Sequence, residues 1–322
     1  MQPLHAWLRA PRDLLLLFLL VLGLRFLQQD RALESQRLTE LRESAADRVV
    51  RSLEQALTAT ETHLRNPQAW DPTDDALRVV FLSSSIEVTP PNRLLYYPVL
   101  PEWREAPDGL FRQAEEYEFH DRNYQAAIIR CRELSSSLNV AVRAGALLRW
   151  ARNLRKAGQH QSALDLYDQL GRIQSVTLGG IPADLLARHA RCSVLAELGL
   201  SNDLKRESAA IEAGLRTARW QLDHASYLYF SQQASSWVGS AGNPEPVQEA
   251  LARAVETLWN RWKQKPGDAP SRTGRQCLFD DRVAILALWQ STPERFVGLV
   301  LGLRYQPRNW LSGLAGIREF HI

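Results

Sequence analysis

The chain has 322 residues, with a hydrophobic fraction of 45% and a charged fraction of 23%. These values are ordinary for a folded protein of about two domains and exclude a chain that is disordered throughout. The formal net charge is +3, and all but four of the 39 basic residues are arginine. Because the arginines alternate with Asp and Glu along the chain, the charge pattern indicates a solvated surface and excludes a nucleic-acid-binding tract.

Three cysteines, Cys131, Cys192 and Cys277, lie far apart in the chain. They form neither a C-x-x-C pair nor the disulfide framework of a small secreted domain. We expect all three to be small buried apolar residues. A single disulfide is the alternative if the body is exported.

An uninterrupted apolar run, Leu14–Leu24, begins shortly after the N-terminus. Eleven helical residues rise only about 16 Å, whereas the hydrocarbon core of a bilayer is ~30 Å thick. Apolar residues on both sides, Trp7 and Phe26 among them, extend the run, and no small-residue cleavage site follows it. The pattern favours an uncleaved membrane anchor over residues 1–29, with a cleaved signal or a core helix as alternatives. Arginines lie on both sides of the run, so charge leaves the orientation open.

Residues 30–65 form the next segment, in which 30–64 contain no Gly or Pro and carry an apolar stripe at helical spacing. The pattern predicts one long stalk helix with a mixed-charge exposed surface. It is compatible with a stalk, a homodimer formed through this helix, the first helix of a sensor domain, or a helix packed on a local sheet. The stripe consists of Leu33, Leu38, Leu41, Ala45, Val49, Leu53, Ala56, Thr60 and Leu64.

Asn66-Pro67 ends this helix, and residues 66–105 change to short apolar segments with β-branched residues. The segments 76–83, 86–89 and 94–99 predict two or three short strands. After a linker at 266–274, segments 276–279, 282–289 and 295–303 predict an antiparallel meander. Isolated hairpins are marginal in water. We therefore expect residues 266–322 to complete one small sheet with the strands near 76–99, with the long helix packed on it.

Residues 106–265 have the pattern of successive helix–turn–helix units. Predicted helices centre on 110–120, 123–137, 141–157, 160–173, 182–198, 201–218, 221–238 and 246–264. The last two carry aromatic residues that either line a concave surface or cap the core. Ala127 and Ala163 occupy equivalent positions at a spacing close to the ~34 residues of a tetratricopeptide unit. A looser third copy has Leu204 in the equivalent place.

The second copy carries the repeat signature best, and the segment 110–220 resembles the tetratricopeptide family. Small residues at Ala151 and Ala163 allow paired helices to approach closely, and Gly158 frees the turn between them. The matching positions are Leu147, Ala151, Leu154, Gly158, Ala163, Tyr167 and Leu170. The predicted fold class is therefore mostly α with a small antiparallel β part (α+β), in which a tetratricopeptide-like solenoid is inserted in the sheet.

The order of anchor, long helix, short strands including Pro91-x-Arg93-Leu-Leu-Tyr-Tyr-Pro98, and paired strands 282–303 resembles the sensor region of membrane-bound bacterial sensor histidine kinases. The resemblance implies a PAS- or Cache-like sheet, a single-pass inner-membrane protein with a periplasmic body, and signalling through the anchor. The chain departs from the whole-kinase pattern. It has no phosphoacceptor helix, no Gly-rich ATP-binding segment and no second span.

Candidate chemistry is sparse. His189 and Cys192 share a helix face, but no second ligand pair accompanies them, so we expect no metal and no cofactor. No G-x-S-x-G, P-loop or H-E-x-x-H pattern occurs. Gly179-Gly180 precedes a helix whose N–H groups could hold an anion, although a plain loop is the simpler interpretation. Glu115, Glu116 and Glu118 are expected to point in different directions. No nucleophile–base set is present, so we expect no enzyme.

Two function hypotheses remain. The first is a membrane-anchored sensory module that binds a small ligand or partner and relays through the long helix. Its candidate ligand-binding residues are Arg93, Tyr96, Tyr97 and Trp289, each of which is otherwise a core or rim residue. The second is an anchored tetratricopeptide-like scaffold whose helical groove holds a protein or peptide partner in the cell envelope.

Overall fold

A computed structural model describes residues 10–65, 75–102, 105–107, 109–239, 245–264, 272–280, 283–305 and 307–311. The chain divides into two compact units, residues 1–60 with 307–322 and residues 61–306. Nine α-helices and one five-stranded antiparallel sheet account for most of the described residues. The expectation of a mostly helical α+β protein is confirmed.

Helix α1 (Ala10–Arg65) begins well before the predicted 30–64 and contains the apolar run. Its stripe residues Leu33, Leu38 and Leu41 are about half exposed within the described residues. The first unit also contains a short π-helical turn, Pro307–Leu311, whose Trp310 donates a hydrogen bond to the Thr60 hydroxyl at 3.1 Å. No helix in the described part of the chain is long and apolar enough to cross a membrane, and the anchor stays a prediction.

The second unit is organised around a sheet with the strand order β2-β1-β7-β6-β5. Strand β1 pairs antiparallel with β7, so that Ala76 lies opposite Leu301 and Phe81 lies opposite Phe296. The two segments predicted to form one sheet from opposite sides of the helical region therefore do so. The strands are β1 (Ala76–Phe81), β2 (Ile86–Thr89), β5 (Arg272–Asp280), β6 (Val283–Ser291) and β7 (Phe296–Leu301).

Both faces of this sheet carry buried apolar side chains in alternation, as expected of a covered sheet. On one face Leu77, Phe81, Ile285 and Val300 belong to the main hydrophobic core, and the last helix of the array packs against this part of the sheet. The opposite face is also buried, at Ala76, Val80, Leu288, Leu299 and Leu301. A core on both sides fixes the register, because a one-residue slip would exchange the two faces.

The helical array occupies the chain between β2 and β5, and its boundaries follow the predicted helices within a few residues. It consists of α2 (Arg112–Glu115) continued by a π-helical turn (Glu116–His120), α3 (Tyr124–Leu134), α4 (Val140–Lys156), α5 (His160–Leu170), α6 (Ala183–Glu197), α7 (Ser201–Arg216), α8 (His224–Val238) and α9 (Pro246–Lys263). From α3 to α8 each helix packs on the next.

Two local predictions differ from the structure. Residues 94–99 form no strand; Leu94–Tyr97 are buried in irregular structure, and the Tyr97 amide donates to the Leu222 carbonyl at 2.8 Å. The turn before α6 is a small hairpin of β3 (Thr177–Leu178) and β4 (Ile181–Pro182). Gly179 and Gly180 both have positive φ, which a two-residue hairpin turn of this kind requires. Residues 66–67 and 266–271 lie outside the described residues.

Candidate ligand-binding surfaces of the helical array

The hairpin turn at Gly179-Gly180 holds a carboxylate of the chain itself. The Gly180 amide donates a hydrogen bond to Glu105 Oε1 at 2.9 Å. The sequence favoured a plain loop here and left an anion at the start of α6 as the alternative. The structure shows a β-hairpin turn whose amide binds a carboxylate of the same chain, Glu105. The acceptor was not foreseen because Glu105 lies far away in the chain.

Glu118, in the π-helical turn after α2, is a buried carboxylate that meets two cations of α4. Arg152 donates to both of its oxygens, at 2.6 Å from Nε to Oε1 and 2.5 Å from Nη2 to Oε2. Lys156 Nζ donates to Oε1 at 2.7 Å and Asn153 Nδ2 to Oε2 at 3.1 Å. Burial alone would raise the pKa of Glu118, but these hydrogen bonds and charges hold it below its ordinary value.

Glu115 contacts the same helix one turn away. Arg149 donates from Nε and Nη2 to Glu115 Oε1, at 2.9 Å and 2.7 Å. The Arg149 guanidinium also lies 4.0 Å from the centre of the Phe111 ring, which packs over Gly145. The expectation that Glu115 and Glu118 diverge was wrong, because residues three apart on a helical turn share a face; Glu116 alone is exposed.

A cavity of about 310 Å³, called the arginine cavity, lies between residues 105–107, residues 109–115, α4 and the β3–β4 turn. Three arginines, Arg112, Arg149 and Arg152, face two glutamates, Glu105 and Glu115. The remaining wall is apolar or backbone, at Ala106, Pro107, Gly109, Phe111, Leu148, Leu178 and Gly179. The volume is at the lower end of the range typical of small-molecule sites.

A second cavity of about 650 Å³, the α5–α7 groove, is lined by side chains of α5, α6 and α7. Its charges are mixed: Arg191 donates to the Leu164 carbonyl at 3.2 Å and lies 3.8 Å from Asp168, and Arg206 pairs with Asp203 at 2.7 Å. Most of these pairs are exposed, so each contributes little to stability. Four carboxylates (Asp165, Asp168, Asp203 and Glu207) and three arginines (Arg172, Arg191 and Arg206) line the groove, so its charges nearly cancel.

His189 on α6 lies among three aromatic rings of α8, a group called here the His189 cluster. The imidazole centroid is 5.6 Å from Tyr229, 5.3 Å from Phe230 and 5.2 Å from Trp237. Tyr229 is 50% exposed, whereas Phe230 is buried. Burial, with the Arg155 charge as a second cause, lowers the pKa of His189. Of the aromatic residues of α8, Tyr227 and Phe230 lie in the core and Tyr229 is half exposed.

The seven residues of the repeat signature all lie in α4, α5 or the turn between them. Gly158 has φ +77° in that turn. The other six are buried, at Leu147, Ala151, Leu154, Ala163, Tyr167 and Leu170, and belong to one hydrophobic cluster. Leu204 of the looser third copy packs against the same cluster and against the main core.

The four residues expected to bind a ligand are distributed differently. Tyr96 and Tyr97 are buried in the core; Tyr96 stacks on His224 at 4.0 Å between centroids, and burial raises its pKa to about 12. Trp289 is partly buried and stacks on Phe296, and Arg93 is exposed. Neither cavity described above is lined by any of the four. The apolar segment 94–97 fills the core because its side chains gain more from burial than from solvent contact.

The three cysteines of the chain are free thiols. Cys131 and Cys192 are buried as expected, but the expectation that Cys277 is buried was wrong, because Cys277 lies on an exposed position of β5. Cys192 therefore lies in the core, while His189 on the same face meets the rings of α8. Within the described ranges, no group of three or more His, Cys, Asp or Glu side chains is placed to hold a metal ion.

Comparison with protein-family models, curated proteins and solved structures gave no match to this chain.

Proposed function

We propose that the chain is a sensory input module without catalysis of its own: the helical array binds a ligand or partner, and the sheet relays the event to α1. The observation that carries this proposal is the sheet that closes the array. The array leaves the sheet after β2 and returns to it at β5, while β1 and β7 pair directly. Both ends of the array are thereby attached to one rigid element.

The contact between the array and the sheet is aromatic and tightly packed. Phe81 of β1 meets Trp259 of α9 edge to face at 5.2 Å between centroids and stacks on Phe296 of β7 at 4.6 Å. Trp262 of α9 donates from its indole N–H to the Thr292 carbonyl at 3.1 Å. A displacement of α9 would therefore move β1 and β7 with it, because packed cores rearrange between discrete states and do not deform smoothly.

The other face of the sheet reaches the end of α1. Arg275 of β5 donates from Nε to Glu61 Oε1 at 2.6 Å, and Leu64 of the last turn is buried. These contacts complete a continuous path from α9 through the sheet to residues 61–65. This spatial continuity supports the proposed relay.

The arrangement agrees with what the sequence resemblance implies, a PAS- or Cache-like sheet with a tetratricopeptide-like insertion and an N-terminal anchor. The five-stranded antiparallel sheet and the buried repeat signature support the first two parts of this proposal. The anchor at Leu14–Leu24, the inner membrane and a periplasmic body remain part of the proposal on the sequence alone. A homodimer through α1 is proposed from the apolar stripe of this helix, which is about half exposed at Leu33, Leu38 and Leu41.

The relay is tested by hydrogen–deuterium exchange on the full chain with the substitution Trp259→Leu. We expect faster exchange in β1, β7 and residues 61–65 as well as in α9, because the Phe81–Trp259 contact joins them. Tyr229→Leu is the matched control, since Tyr229 lies on the exposed side of α8. Faster exchange confined to α9 would contradict the relay.

The second candidate function is an anchored scaffold, and the His189 cluster favours it. A half-exposed tyrosine beside a histidine and a tryptophan is the kind of amphipathic surface that anchors a partner helix or peptide. The test is a photo-crosslinking residue at position 229 of the full chain in its native cells, with position 132 on α3 as control. One defined protein adduct specific to position 229 would support the scaffold; equal adducts at both positions would reject it.

A further inference from the structure

We propose that the arginine cavity is a binding site for a small dicarboxylic acid, and that Glu105 is an internal carboxylate occupying part of it until the ligand displaces it. The inference names the ligand class for the proposed sensory role and rests on that role for its biological meaning. The binding itself depends only on the cavity.

Glu105 identifies the first anion position. Its carboxylate accepts the Gly180 amide at 2.9 Å, and Glu105 is exposed. The Gly180 amide is a fixed donor, because the two positive-φ glycines of a two-residue turn determine its direction. An exposed side chain on an irregular segment is easily displaced, whereas the turn that receives it is part of a hairpin. The amide can therefore donate the same hydrogen bond to a carboxylate of a ligand.

Arg112 identifies the second anion position. Arg149 is already engaged by Glu115 and Arg152 by Glu118. Among the described residues, by contrast, no side chain or carbonyl accepts a hydrogen bond from the Arg112 guanidinium. Arg112 lines the same cavity as Glu105. With Glu105 displaced, and with the ion-pair partners of the lining arginines included, four cations (Arg112, Arg149, Arg152 and Lys156) stand against two carboxylates (Glu115 and Glu118), so the cavity favours an anion of more than one charge.

The apolar part of the cavity wall indicates the chemistry of the segment that joins the two carboxylates of the ligand. Phe111, Leu148 and Leu178 line the cavity beside the charged residues. A short aliphatic chain between two carboxylates would contact this apolar wall and bury its methylene groups there. A phosphate or sulfate would leave the wall without a partner. The chemistry of the internal occupant and the apolar wall together favour a dicarboxylate of about five carbons, a size that fits small-molecule cavities.

The test is isothermal titration calorimetry of the full chain with glutarate. We expect wild-type binding in the millimolar range. Glu105→Ala should bind about tenfold more tightly, because the internal competitor that reduces the binding-competent fraction is gone. Arg112→Gln should weaken binding about tenfold, the effect expected when a charged hydrogen-bond donor is lost. Glu116→Ala and Arg216→Gln, exposed residues outside the cavity, serve as charge-matched controls and should leave the affinity unchanged.

The outcomes separate the parts of the proposal. Equal affinity of wild type and Glu105→Ala would reject the internal occupant, and failure of glutarate to bind Glu105→Ala would reject the site. Inorganic phosphate that binds as tightly as glutarate, with the same dependence on Arg112, would reject the dicarboxylate assignment. Thermal melting of each variant checks its fold. Glutarate binding without altered hydrogen exchange at residues 61–65 would contradict the sensory relay and leave the site standing.

Discussion

The indole ring of Trp220 lies so close to Gly214 of α7 that a Cβ atom on Gly214 would stand 2.4 Å from the ring. The ring has little freedom to move. Trp220 is buried, and its indole N–H donates to Asp184 Oδ2 at 2.9 Å. Asp184 also receives Arg219 at 3.0 Å. Residue 214 must therefore be glycine for Trp220 to pack between α6 and α7, although glycine is a poor helix former.

Gly214→Ala is expected to destabilise the protein by about 1–3 kcal/mol, the usual effect of overpacking a core. In a helix without this neighbour the same change would stabilise by roughly 1 kcal/mol, because alanine is the better helix former. Urea denaturation measures the difference. Gly171→Ala is the control, because the nearest atoms to its Cβ lie at 3.4 Å and beyond. A Gly214→Ala variant as stable as wild type would show that the Trp220 side chain can adopt another packed position.

Glu118→Gln is expected to reduce the free energy of unfolding by about 3 kcal/mol at pH 7, because it leaves Arg152 and Lys156 at a buried site without a carboxylate. The folded-state pKa of Glu118 is lowered. Its contribution is therefore present above the ordinary value of 4.5 and is lost as the pH falls through the lowered pKa. Denaturation at several pH values should show the two proteins converging in acid. Glu133→Gln, at an exposed pair with Arg130, should change stability little.

His189 is expected to make the protein less stable in mild acid. Burial and the Arg155 charge lower the folded-state pKa of His189 from 6.5. As the pH falls, His189 is therefore protonated in the unfolded chain at a higher pH than in the folded protein. Stability is then complete above about pH 6.5 and falls as the pH drops below it. Melting temperatures at pH 7.5 and 5.5 should differ less in His189→Gln than in wild type. An identical acid response in the two proteins would contradict this assignment; His120→Gln, at an exposed histidine, is the control.

Cys277 is expected to be the one cysteine that reacts rapidly with a maleimide. Burial raises the pKa of Cys131 to about 11 and that of Cys192 to about 12, so both remain protonated and inaccessible at pH 7.5. Cys277 lies exposed on β5. Intact-protein mass spectrometry should show one adduct per native chain and three after unfolding. Cys277→Ser should remove the native adduct; two or three adducts on the folded protein would indicate an open core.

The spacing of apolar residues was enough to predict the helices and strands whose buried and exposed positions alternate within a few consecutive residues. The helices of the array and the strands β1, β2, β6 and β7 each show their period in a few residues, and the structure places them within a few residues of the prediction. Residues 94–97 show the limit of this reasoning. Four successive large apolar residues suggest a strand, but a buried irregular segment satisfies the same pattern when its backbone finds partners such as the Leu222 carbonyl.

The arginine cavity could not be predicted in the same way, because its parts come from three separate segments. Glu105, Arg112 and Gly180 have no periodic relation to one another, and each taken singly is an ordinary surface residue. The sequence did contain one relevant pattern, the three-residue spacing of Glu115 and Glu118. We predicted from it, wrongly, that the two side chains point in different directions. Arg149 and Arg152 repeat the same spacing on α4 and could have identified the matching face.

The pairing of β1 with β7 also affects how the protein is made. Strand β1 emerges from the ribosome before the helical array, but the partner that covers its edge, Phe296–Leu301, is synthesised only after the array. Until then the edge at Leu77 and Val79 offers unpaired backbone groups next to apolar side chains, the combination that promotes association between chains. The array, whose contacts are mostly between neighbouring helices, can form during that interval. A nascent chain halted before β7 is therefore expected to have a folded array and an incomplete sheet. The exposed edge of β1 would make this intermediate prone to aggregation and dependent on a chaperone.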